Sequence, residues 1–194
     1  APDGGVYSLP QIGNAKVGSI WLVRSDLMAQ NGWKQPNTAD EFYELLKAFK
    51  EKYPNSFPFT SRARERMFED FAPIFGIRGD FYYDTDAGQY VFGPALPQFK
   101  DVLAYLNKLY TEKLIDPEYV LLDEAKWNER MLTDKSFVTF DTLARLEIVT
   151  ENGKKTNPDY EIGVLMPFIA PGGSMLQATG DTKSLPSNGK GIAF

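Results

Sequence analysis

Apolar positions along this chain recur at two periods, and the switches between them mark out its elements. Residues 19–24, Ser-Ile-Trp-Leu-Val-Arg, form a nearly continuous apolar run that predicts a strand. Ser25 or Asp26 can cap a short helix after it, which Asn31-Gly32 ends by allowing positive φ. Thr38-Ala39-Asp40-Glu41 is a capping box, and Phe42, Leu45, Leu46 and Phe49 follow at i, i+3, i+4 and i+7. Pro54 closes that helix. Residues 57–60 read as a brief extended segment. Met67, Phe68, Phe71, Ala72 and Phe75 repeat the helical stripe until Gly76. A hairpin is predicted over 81–92, turning around 84–88.

The second half continues the alternation. Pro97 opens a long helix striped by Phe99, Val102, Leu103, Leu106 and Leu109, ending near Leu114 with Pro117 beyond. A helix over 123–132 places Trp127 and Met131 on one face. A strand at 136–140 leads to a helix capped by Asp141 or Thr142 and carrying Leu143, Leu146 and Val149. Residues 160–166 read as a buried strand, followed by a Gly- and Pro-rich stretch. Residues 5–10 and 191–194 are strand-like pieces at the two ends. Strands alternating with helices predict an α/β domain with a partly parallel sheet.

Composition narrows the chemistry. The 194 residues suffice for one well-buried domain, and 14 Phe are too many to line a single site, so most belong to the core. A net charge of -5 with no basic run argues against nucleic acid as a partner. The chain has no Cys and no His. That removes thiolate nucleophiles, disulfides, Cys-type zinc sites and the side chain best suited to proton transfer near neutrality. No cofactor is expected. Asp84-Thr85-Asp86-Ala87-Gly88 resembles a calcium loop only superficially, because Gln89 stands at its sixth position and Ala95 at its twelfth. No metal site is expected there.

Candidate binding residues come from strand ends and aromatic rings. Ser61, Arg62 and Arg64 follow the 57–60 segment, and Asp141, Thr142 and Arg145 follow the strand ending at Phe140. In open α/β sheets, ligands gather beyond the carboxyl ends of strands. Surface ion pairs and helix caps are the competing reading for these residues. Trp21, Trp127 and Tyr82 or Tyr83 could stack on sugar rings, with core packing favoured for both tryptophans. Tyr82 and Tyr83 point to opposite sides of a strand, so only one can face a given cleft. A carboxylate pair for glycoside hydrolysis, such as Asp141 with Glu147, is one arbitrary choice among 26 acidic residues.

Residues 19–55 carry a more specific pattern: Arg24-x-Asp26, Asn31-Gly32-Trp33, Pro36-Asn37-Thr38 with Glu41-Phe42, and Lys47 to Lys50. This stretch resembles the family 1 extracellular solute-binding proteins of bacterial ABC importers. The likeness continues through Phe75-Gly76, the hairpin, the helix of 97–114 and the tag Leu114-Ile115-Asp116-Pro117-Glu118. The opening "PDGGVYSLP" and closing "GKGIAF" are similar to the strands by which such a chain crosses between lobes. The resemblance implies one lobe of a type II periplasmic-binding-protein-like fold, residues 1–194 being a single inserted lobe with the first lobe and C-terminal part outside it. It also implies capture of carbohydrate or another small polar ligand, delivery to a membrane permease, and an extracellular, membrane-anchored lipoprotein parent. Peptides are the alternative ligand class on the same fold. Two departures stand out: residues 51–57 are too short for the family's calcium loop, and Lys113 occupies a position where relatives often have Gly.

Overall fold

The structure, a computed structural model, describes residues 8–10, 19–84, 87–173 and 191–193. The chain runs β1 (Ser8–Pro10), β2 (Ser19–Arg24), α1 (Ser25–Asn31), α2 (Ala39–Lys52), α3 (Met67–Phe71), β3 (Phe81–Asp84), β4 (Gln89–Phe92), α4 (Gln98–Thr111), α5 (Glu124–Leu132), β5 (Val138–Thr142), α6 (Ala144–Lys154), β6 (Ile162–Leu165) and β7 (Gly191–Ala193). Short 3-10 turns at Arg64–Arg66 and Ala72–Phe75 extend α3 on both sides. Pro73, which lacks an N–H, falls in the second of these turns, where the α-helix has already given way.

The central sheet has the order β5-β2-β6, and both of its ladders are antiparallel. The expected parallel component shrinks to isolated bridges. Phe59 pairs in parallel with Val138 on one side and Ile115 on the other, and Thr38 with Ile169. The 57–60 segment thus lies beside β5 and runs with it. β1 pairs with β7 and β3 with β4, each antiparallel.

The sheet separates two cores. On one face Trp21 and Val23 meet α2, α3 and α4 through Phe42, Phe49, Phe71, Val102 and Leu109. On the other, Leu22 and Ile162 meet α5 and α6 through Trp127, Met131 and Val149. The split follows the two-residue alternation of β2. Burying a side chain the size of these rings contributes about 1.5–3 kcal/mol, so the aromatic face dominates stability.

The helix ends obey local chemistry. Thr38 Oγ1 accepts from the Glu41 N–H at 3.1 Å, while the Glu41 carboxylate reaches back to the Asn37 N–H at 2.6 Å. Gly32 adopts φ 65, and the N–H of Trp33 bonds the Met28 carbonyl. Two expected caps are absent. Neither Ser25 nor Asp26 caps α1, because Asp26 is drawn to Arg24; and neither Asp141 nor Thr142 caps α6, because Asp141 is drawn to Arg62. The helix begins later than expected, at Ala144. Among the described residues no helix is long and apolar enough to cross a membrane.

Candidate functional site

β5 and the parallel 57–60 segment end at the same edge of the sheet. Asp141 stands opposite Ile20 there, and the Thr60 N–H bonds the Val138 carbonyl, so Ser61 and Arg62 continue past that edge. Arg62 grips Asp141 with both arms of its fork: Nε to Oδ2 at 2.6 Å and Nη2 to Oδ1 at 2.9 Å. Its Nη1 lies 3.8 Å from Glu124 Oε2. Glu124, the first residue of α5, accepts from Arg145 Nη1 at 2.7 Å. Asp141, Arg62, Glu124 and Arg145 therefore form one alternating chain of charges. The Arg62 guanidinium also sits 5.7 Å above the ring of buried Trp127, whose Nε1 donates to Thr139 Oγ1.

The electrostatics follow from this geometry. The hydrogen bond to Asp141 holds the Arg62 guanidinium above its usual range, and the one from Arg145 holds the Glu124 carboxyl below its usual range. The inner end is buried and the outer end is wet: the Asp141 side chain is 6% exposed and that of Glu124 53%.

Three buried polar atoms have no hydrogen-bond partner among the described residues: Thr60 Oγ1, Asp70 Oδ2 and Asn128 Oδ1. Buried polar groups are normally paired, so orphans point to an additional partner. Two of the three, Thr60 and Asn128, lie on elements that build the charged edge. Thr60 precedes Ser61 and Arg62, and Asn128 shares a helix face with Glu124 four residues before it. Asp70, on α3, is near enough to Asp141 to feel its charge. Burial pushes the Asp70 carboxyl up to about 7; Arg66 opposes that rise, and Glu69 and Asp141 add to it.

The structure brings together Arg62, Asp141 and Arg145, from the two clusters expected at the strand ends. Thr142 is exposed at the same edge, its N–H donating to Asp141 Oδ1. Ser61 is fully buried, and its hydroxyl accepts from the Ala63 N–H within the turn. Arg64 is exposed, with φ 57. Two expected residues are corrected. Trp21 is enclosed by the rings of Phe42, Phe59, Phe71, Phe140 and Phe168 at centroid distances of 4.9–5.9 Å, leaving no face for a ligand. Tyr82 is buried on the inner side of the β3–β4 hairpin, where a stacking ring could not reach it. The side chain of Tyr83 lies outside the described residues.

Sequence reasoning missed Glu124, Asp70 and Asn128. Asp70 did leave a trace, a carboxylate set between the apolar positions Met67 and Phe71. Glu124 left none, since it follows the capping Asp123 and looks like an ordinary first-turn acid.

No family model matches the chain. It is 28% identical over 155 residues to lipoprotein LipO of Bacillus subtilis (strain 168), covering 71% of this chain and 30% of LipO. It is 26% identical over 172 residues to the fructooligosaccharide ABC transporter substrate-binding protein FusA of Streptococcus pneumoniae serotype 4, covering 78% of this chain and 31% of FusA. The fold matches the crystal structure of the alginate-binding protein AlgQ2 without calcium ion with a TM-score of 0.71 and 28% identity, over 86% of this chain and 36% of that one. The chain is thus similar to lipoprotein and substrate-binding components of ABC transporters. Its α/β fold is that of periplasmic solute-binding proteins; FusA with fructo-nystose superposes on 89% of the chain with a TM-score of 0.68. The chain spans about 30% of the length of the curated relatives it matches. Within this fold, Arg24-x-Asp26 and the Leu114 to Glu118 tag both turn out to be structural. Arg24 is buried against Asp26, and Asp116 is buried against Arg130 at 3.0 Å.

Proposed function

We propose that residues 1–194 form one lobe of a two-lobed receptor that captures oligosaccharides for import. The edge carrying Arg62, Asp141, Glu124 and Arg145 would be this lobe's half of the ligand cleft. The observation that carries the reading is the concentration of paired charges at one sheet edge, beyond the ends of β5 and the 57–60 segment. Saccharides are recognised by such fixed donors and acceptors, supplemented by apolar walls. The names of FusA, a fructooligosaccharide-binding protein, and AlgQ2, an alginate-binding protein, support the ligand class. The complete protein would be an extracellular lipoprotein that hands its ligand to a membrane permease.

A receptor fits this edge better than a hydrolase. Both oxygens of Asp141 are occupied by Arg62, so Asp141 is not free to serve as a carboxylate base or nucleophile. The test is calorimetry of the complete protein against kestose, an alginate oligosaccharide and a peptide panel at neutral pH. Binding of a saccharide is expected, with Arg62→Ala weakening it at least about tenfold, since a charge-assisted hydrogen bond is worth about 1.5–3 kcal/mol. Peptide binding without saccharide binding would overturn the ligand class. Unchanged affinity in Arg62→Ala would move the site elsewhere.

A further inference from the structure

Helix α4 carries a second stripe beside its core face: Leu103, Leu106, Asn107 and Tyr110 recur at i, i+3, i+4 and i+7. Leu106 is buried, but Leu103 and Tyr110 stay exposed. Across from them α3 supplies Met67 and Phe68, and the stretch from Ile115 to Val120 closes the third side. Together these walls bound a cavity of about 440 Å3, a volume typical of small-molecule sites. None of its lining residues belongs to the charged edge.

The walls define what can fill the cavity. None of the ten lining residues is charged. Met67, Leu106 and Ile115 are its most deeply buried members, while Phe68, Tyr110 and Tyr119 bring aromatic rings. The Asn107 amide and the hydroxyls of Tyr110 and Tyr119 have no hydrogen-bond partner among the described residues. An acyl chain or an apolar protein side chain would cover those three polar ends without pairing them, which costs binding energy. A carboxylate would lose its hydration with no cation in the lining to replace it. A neutral sugar ring meets both demands, with C–H faces for the aromatic rings and hydroxyls around its rim for the polar ends.

We propose that this cavity is a second saccharide site, which takes a ring of a neutral oligosaccharide against Phe68 and Tyr110 and bonds its hydroxyls through Asn107, Tyr110 and Tyr119. The site stands apart from the cleft assigned to Arg62 and Asp141, and either can fail without the other.

The experiment is a methyl NMR titration of the complete protein with kestose and with maltotriose, following Met67 and Val120. At least one of the two neutral sugars is expected to shift both signals to saturation, with the same midpoint in the wild type and in Arg62→Ala. In the Arg62→Ala background an alginate oligosaccharide should leave them unmoved. The double variant Asn107→Ala, Tyr110→Ala should bind at least about tenfold more weakly, and Tyr110→Phe, which keeps the ring and loses one hydrogen bond, about three- to tenfold. Signals that move with neither sugar overturn the inference and leave the receptor reading intact. Shifts that vanish in Arg62→Ala also overturn it, because they would report events at the charged edge. Saturation by decanoate without saturation by either sugar overturns it too, making the cavity an acyl-chain groove. Sugar binding at Met67 and Val120 that Arg62→Ala leaves unchanged, with no second site detected by calorimetry, supports this inference and overturns the charged edge as the cleft.

Discussion

Two arginine–carboxylate networks occupy opposite ends of strand β2, and they are built to different ends. At the C-terminal end, Arg24 is 2% exposed and donates to both oxygens of Asp26 and to Asp134. Its guanidinium lies 3.9 Å from the ring centroid of Tyr160, whose hydroxyl donates to the Met131 carbonyl. Even the space behind that ring is filled, since a Cβ on Gly153 would fall 2.2 Å from it. At the other end, Arg62 also forms a bidentate pair, yet it remains 30% exposed, two residues beyond the unpaired Thr60 hydroxyl. The closed network satisfies itself. The open one leaves hydrogen-bonding capacity for something else.

Mutations can break this contrast. Arg24→Ala strands Asp26 in the interior, and such a loss costs about 3–5 kcal/mol. Arg62→Ala exposes Asp141 to water and should cost only about 1–3 kcal/mol. Urea denaturation of the two variants measures the difference, and equal losses would mean that both networks are structural.

The next effect concerns pH. The folded-state value of about 7 at Asp70 stands above the ordinary carboxylate value of 3.8. Between those values the native state holds a proton that the unfolded chain has released, so stability falls as pH rises through that window. The penalty is complete above it. Asp70→Asn should therefore match the wild type near pH 4 and exceed it by about 2–4 kcal/mol at pH 8. A variant no more stable at pH 8 would show that Asp70 ionises freely.

The smallest effect lies away from both networks. α4 ends with Lys113 at φ 58, the N–H of Leu114 reaching back to the Leu109 carbonyl. A left-handed lysine costs about 1–2 kcal/mol, partly offset by the freedom glycine adds to the unfolded chain. Lys113→Gly should raise stability by about 0.5–1 kcal/mol, read from the thermal midpoint, without altering ligand affinity.

The same contrast explains what the sequence disclosed. Arg24-x-Asp26 and Asp116-Pro117-Glu118 are local spacings, and each builds a closed structural pair or turn that a reader can anticipate. The helices of 39–52 and 98–111 were legible because a single apolar stripe dictates each of them. The charged edge was legible only in pieces. Arg62 and Asp141 could be nominated from strand ends, but their pairing depends on a parallel bridge between Phe59 and Val138 that no local pattern encodes. Trp21 misled for a related reason. An aromatic residue in an apolar strand looks the same whether its face meets five rings or open water. The antiparallel order of the sheet was equally hidden, being set by long connections.

Those connections also order events in time. β2, the centre strand, meets its partners only when Trp21 finds Phe140 on one side and Leu165 on the other. Closing such long loops must precede any gain from the pairing, which makes assembly slow relative to a helical bundle. During synthesis the run Ile20-Trp21-Leu22-Val23 would wait, both edges bare, until β5 and β6 followed it more than a hundred residues later. That interval favours binding by a chaperone and exposes the strand to aggregation, and it keeps this sheet unformed long after α1 and α2 can form.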